Sequence, residues 1–88
     1  MDRKDLNKEK ALLKALGRRD INAFEHLCKE YEEDILILAY SLLKDPLAAA
    51  RTVDQFFKKL WEEANFETVK PPIYKYLVAE FLKACGKS

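Results

Sequence analysis

The sequence predicts an all-α fold, a compact three- to four-helix bundle. Three observations lead there. Apolar residues recur at three- and four-residue spacing through successive stretches of the chain. The strongest helix breakers, two glycines and three prolines in 88 residues, fall at the seams between those stretches. Finally, 49% of the residues are apolar, enough for one core in a domain near the lower size limit for folding without disulfides or metal.

The elements follow in chain order. Residues 1–7 are charged and are expected to fray. Asn7 is the candidate cap of a short first helix with Leu12, Leu13 and Leu16 on its buried side and Gly17 as its stop. Arg18 and Arg19 then lie where the helix dipole favours positive charge. Asp20 is the next N-cap, and a long helix runs to about Lys44 with an inner stripe of Phe24, Leu27, Cys28, Tyr31, Ile35, Leu38, Ala39, Leu42 and Leu43. Between Ile35 and Tyr40 it is apolar on nearly every face, which places that half at the centre of the bundle.

Asp45-Pro46 caps and opens a third helix, ending near Asn65. Its expected stripe is Leu47, Ala50, Val53, Phe56, Phe57, Leu60, Trp61 and Ala64, with Trp61 buried against the long helix near Leu38. A short loop, Phe66 to Lys70, leads to Pro71-Pro72 and a last helix from Ile73 to about Cys85, stopped by Gly86. That helix buries Ile73, Tyr76, Leu77, Phe81 and Ala84. The whole of 1–88 reads as one domain, without repeats or linkers.

Sixteen basic and fifteen acidic residues nearly cancel, which removes the simplest argument for nucleic-acid binding. The charge is nevertheless uneven. Asp20, Glu25, Glu30, Glu32, Glu33 and Asp34 face only Lys29 within their stretch, whereas Lys70, Lys75, Lys83 and Lys87 face only Glu80 in theirs. No run is apolar enough to span a bilayer, the N-terminus lacks the pattern of a signal peptide, and Cys28 and Cys85 lack framework spacing. A cytoplasmic chain with reduced thiols is the expectation.

Sites of chemistry are scarce. His26 and Cys28, two apart on a helix, point to different sides and share a metal poorly, so no metal or other cofactor is expected. There is no Gly-rich phosphate loop and no nucleophile–base pair, so no enzyme is expected either. Phe66, Tyr74 and Tyr40 have no clear core position. Phe66 and Tyr74 flank Lys70 and Lys75 around the proline turn, an arrangement that can stack an unpaired base and hold its backbone. Pattern alone favours the simpler alternative, that these rings pack the loop against Trp61.

The series DINAFEHLCKEY, AYSLLKDPLAAARTVDQFFKKLW and PPIYKYL resembles region 2 of the extracytoplasmic-function sigma factors. The matching features are Leu12-Leu13, Asp20, Ala23-Phe24, Tyr31, the Asp45-Pro46 turn and the Phe57–Trp61 ending, over about residues 11–85. The resemblance implies a helical bundle that binds the clamp helices of the RNA polymerase large subunit and the non-template single strand of the minus-ten promoter element. By position it assigns Arg51, Asp54, Gln55, Lys58 and Lys59 to the polymerase, and Phe66 to Lys75 with Ala79 and Lys83 to DNA. Within that segment Phe66, Lys70, Tyr74 and Lys75 are the candidate contacts. An anti-sigma protein is a further partner it implies.

Two departures stand out. The family's acidic–Gln–acidic pattern on the polymerase face reads here Arg51, Asp54, Gln55, and its Arg-Asn pair on the last helix reads Leu82-Lys83. An apolar residue in place of that arginine weakens phosphate contact. The second, minus-35 domain is also not in this sequence, so a fragment and a stand-alone domain are both open. The alternative is a diverged helical interaction module that binds a regulatory partner and does not melt DNA.

Overall fold

The computed structural model describes the backbone of residues 3–86 and the side chains of residues 7–86. Within them lie four α-helices and one 3-10 turn: α1 (Arg3–Gly17), α2 (Ile21–Leu43), α3 (Pro46–Glu63), the turn Phe66–Thr68 and α4 (Ile73–Ala84). No helix among the described residues is long and apolar enough to cross a membrane.

The first helix begins earlier than expected. Residues 3–7 are helical, and Asn7 lies inside α1 instead of capping it. Arg3, Lys4 and Leu6 are good helix formers, and no Gly or Pro interrupts them. Residues 1 and 2 lie outside the described set. Gly17 ends α1, but the left-handed residue of the turn is Arg19, at φ 63°. The value of Gly17 is space: a Cβ there would come within 3.0 Å of Glu67 Cγ, where the 3-10 turn leans on α1.

Both aspartate caps stand as the sequence predicts. Asp20 accepts from the Asn22 and Ala23 amides at 2.9 and 3.4 Å, and Asp45 accepts from Leu47 and Ala48 at 3.0 and 3.4 Å. Between these caps α2 ends on Lys44, which is left-handed (φ 59°) and donates its N–H to Tyr40 C=O at 2.8 Å. A side chain is disfavoured in that conformation, so Lys44→Gly is expected to raise stability by up to about 1 kcal/mol in urea unfolding. A loss would mean that the Lys44 side chain contributes more than its backbone costs.

The core is one cluster. It joins Leu13 and Leu16 of α1, Phe24, Leu27, Ile35 and Ala39 of α2, and Ala49, Val53, Phe56, Phe57 and Leu60 of α3. Phe66 and Val69 of the connecting loop and Ile73, Leu77 and Phe81 of α4 complete it. The α3 stripe has the expected phase from Val53 onward. At its start the structure corrects it: Leu47 is 72% exposed, Ala50 is exposed, and Ala49 is the buried residue of the first turn. Likewise Tyr76 is only half-buried and Ala84 is exposed in α4.

The larger correction concerns α2. Its C-terminal half is not surrounded: Leu36, Ile37 (62% exposed), Tyr40 and Leu43 lie at the surface. A 23-residue helix is about 35 Å long, whereas the 12-residue α4 is about 18 Å. So short a partner covers only part of α2, and one wall of its apolar half is left at the surface.

Trp61 is half-buried and its ring lies tilted by 43° against Phe24 (centroids 4.9 Å apart), at the opposite end of α2 from Leu38. The Arg19 guanidinium lies over the indole, with Cζ 4.1 Å from the ring centroid, and donates to the Trp61 carbonyl. Pro72 offers α4 no side-chain cap; the Glu9 carboxylate of α1 accepts from the Ile73 amide in its place. This contact ties the start of α4 to α1, and with it the loop that precedes α4.

Candidate functional site

The polar side of α3 follows directly from its periodicity. With Val53, Phe56, Phe57 and Leu60 turned inward, Arg51, Asp54, Gln55, Lys58 and Lys59 are all exposed on the outside. Lys58 pairs with Asp54 at 3.1 Å, one helical turn away. Both side chains are well exposed, so the pair contributes little to stability and stays free to exchange partners. The face carries both signs of charge and a neutral amide.

The five residues do not stand apart from the other predicted set. Gln55 and Lys59 line a groove of about 590 Å³ between α3 and α4, and Tyr76, Glu80 and Lys83 form its far wall. Lys83 is thus brought beside the α3 face. Its charge is partly offset by Glu80, 3.3 Å away.

The predicted DNA set is divided by the fold. Lys75, Ala79 and Lys83 recur every four residues and are exposed along one side of α4, and Lys70 is exposed in the loop before it. Phe66 is a correction: it is 3% exposed, with its ring 6.3 Å from that of Phe24. Asn65 accepts from the Glu67 amide at 3.1 Å, and Thr68 Oγ1 donates back to the Asn65 carbonyl at 2.8 Å. The tight turn so formed points Phe66 inward. A ring in the core cannot stack a base. Phe66 thus packs inward as the alternative has it, but on Phe24, which in turn meets Trp61.

Tyr74 is 45% exposed and lies near Tyr31, ring centroids 6.4 Å apart. Both line a groove of about 480 Å³ that also holds Glu9, Glu30 and Asp34. Lys8 and His26 line it too, but the three carboxylates outnumber the one lysine, which opposes a phosphate and so the expected stacking there.

His26 and Cys28 diverge as their spacing requires. His26 is exposed, 3.9 Å from Glu30. Cys28 is half-buried, and burial, then Glu32 and Glu25, push its thiol up to about 11. A thiol so disposed stays protonated near neutral pH and is a poor nucleophile.

One feature was beyond the reach of sequence reasoning. Lys10, Lys14 and Arg18 line a groove of about 440 Å³ between α1 and the 66–71 loop. The four-residue spacing of these cations is visible in the sequence, but nothing there shows which later segment they face.

Comparison of the chain with protein-family models, with curated protein sequences and with solved structures finds no match.

Proposed function

We propose that this chain is a sigma-region-2-like domain of transcription initiation, docking on the clamp helices of RNA polymerase and holding the non-template strand of the minus-ten element. The observation that carries this reading is the outer face of α3. Arg51, Asp54, Gln55, Lys58 and Lys59 form an uninterrupted exposed surface on the helix whose other side builds the core, and none of the five has a packing role. A polar face on a rigid helix suits a helical partner whose charges alternate in the same way. The order of four helices and the two aspartate caps fit the resemblance as well.

The DNA half of the reading has fewer supports. Lys70, Lys75 and Lys83 with Ala79 remain available, Phe66 is lost to the core, and Tyr74 faces carboxylates. Weak, salt-sensitive binding to a single strand is the consequence.

The test is a pull-down of the polymerase clamp fragment. Asp54→Ala with Gln55→Ala is expected to weaken capture at least fivefold while leaving the helical circular dichroism unchanged. A wild-type chain that captures no clamp fragment would overturn the reading.

A second reading is favoured by one observation, the exposed strip of Leu36, Ile37, Tyr40 and Leu43 that helical spacing puts on one face of α2, with Leu47 exposed just beyond the turn. Exposed large apolar side chains gathered in one place suit a protein partner. A helical interaction module that binds a regulator, an anti-sigma protein among the candidates, would use that strip and leave DNA alone.

A further inference from the structure

The nearly neutral total charge hides a helix that is strongly one-sided. From Lys8 to Arg19 the chain carries Lys8, Lys10, Lys14, Arg18 and Arg19 against Glu9 alone. Three of these cations, Lys10, Lys14 and Arg18, follow at four-residue spacing. They therefore share one side of α1 and its end, and stand about 6 Å apart along the axis. That interval is close to the distance between neighbouring phosphates of an extended strand. All three are exposed, and none has an ion pair with a described residue.

They form one wall of the groove between α1 and the 66–71 loop. Pro71, half-buried, lines the opposite side with the buried Phe66 and Val69 behind it, and Glu67 is the only acidic residue among the described lining. A row of cations beside apolar surface matches a molecule with a charged backbone and flat, apolar-faced rings. An acidic peptide would match the row only where its carboxylates fall at that interval, whereas a nucleic-acid strand repeats it at every nucleotide.

We infer that this groove is a track for the sugar–phosphate backbone of single-stranded nucleic acid. Lys10, Lys14 and Arg18 each meet a phosphate, and the bases turn toward Pro71. The identity of the strand rests on the promoter reading above; the location of the track does not. It puts the strand in a groove whose described lining does not include Tyr74, and it adds three cations to Lys70, Lys75 and Lys83 of the loop and α4.

The experiment is an anisotropy titration of the whole chain with a short labelled oligothymidylate across a range of salt. Neutralising the row (Lys10→Gln, Lys14→Gln, Arg18→Gln) is expected to weaken binding at least tenfold at low salt. The slope of log affinity against log salt should flatten by about 2, because each single-strand phosphate contact contributes about 0.7. The charge-keeping variant (Lys10→Arg, Lys14→Arg, Arg18→Lys) should bind within twofold of the wild type, which separates lost charge from lost folding. Lys29→Gln on the acidic helix should change nothing.

If the neutralised row keeps its affinity and slope while Lys70→Gln with Lys75→Gln loses binding, the groove is overturned and the promoter reading stands. No binding by the wild type at any salt overturns the groove together with the DNA half of that reading. Displacement of the oligonucleotide by polyglutamate at lower concentration, with the same dependence on the row, would replace the nucleic acid with an acidic protein segment.

Discussion

Phe81→Ala is expected to remove about 3–5 kcal/mol of stability. Phe81 is 0% exposed, and its ring meets Phe56 edge-to-face at 5.2 Å and 89°; Phe56 in turn meets Phe57 at 5.3 Å. Truncation removes the transfer term of a buried aromatic, leaves a cavity, and loses an edge-to-face pair worth about 0.5–1.5 kcal/mol. Alanine is a better helix former than phenylalanine, so propensity in α4 works against the loss and cannot cause it. A domain of this size has roughly 4–13 kcal/mol in total, so the variant should be largely unfolded at moderate urea. Leu82→Ala, one residue along and half-buried, should cost clearly less. If the two variants shift the urea midpoint equally, α4 does not present Phe81 to the core.

What could be read in the sequence was what local chemistry decides. A side-chain oxygen at a helix start bonds amides two and three residues ahead, so Asp20 and Asp45 mark their helices whatever packs around them. The phase of α3 from Val53 to Leu60 is also local, because several large side chains agree on one face. The exposed polymerase-face candidates follow from that phase.

What could not be read depended on distant partners. The apolar run from Ile35 to Tyr40 specifies burial, but whether enough chain exists to bury every face depends on the lengths of the other helices. Lys44 gives no sign of its left-handed backbone, since the residues that usually signal one are Gly and Asn. The row Lys10, Lys14, Arg18 gains its meaning only when a loop some fifty residues later lies beside it. Phe66 was ambiguous for a different reason: a three-residue turn has no period to consult.

Phe66 is also where stability and function separate most sharply. Its burial against Phe24, in a turn fixed by Asn65 and Thr68, predicts that Phe66→Ala costs about 3–5 kcal/mol, as a core truncation does. Phe66→Leu keeps most of the volume and should cost well under half of that. Tyr74→Ala, at a 45% exposed position, should cost less than about 1 kcal/mol. A base-stacking residue would give the reverse pattern, with stability intact and affinity for single strands reduced. Phe66 backs the α1 groove, but its buried ring offers a strand no open face, so Phe66→Leu should bind oligothymidylate as the wild type does under conditions where both are folded. A Phe66→Ala chain whose urea midpoint is unchanged, but which no longer binds the strand, would take Phe66 out of the core and return it to the DNA face.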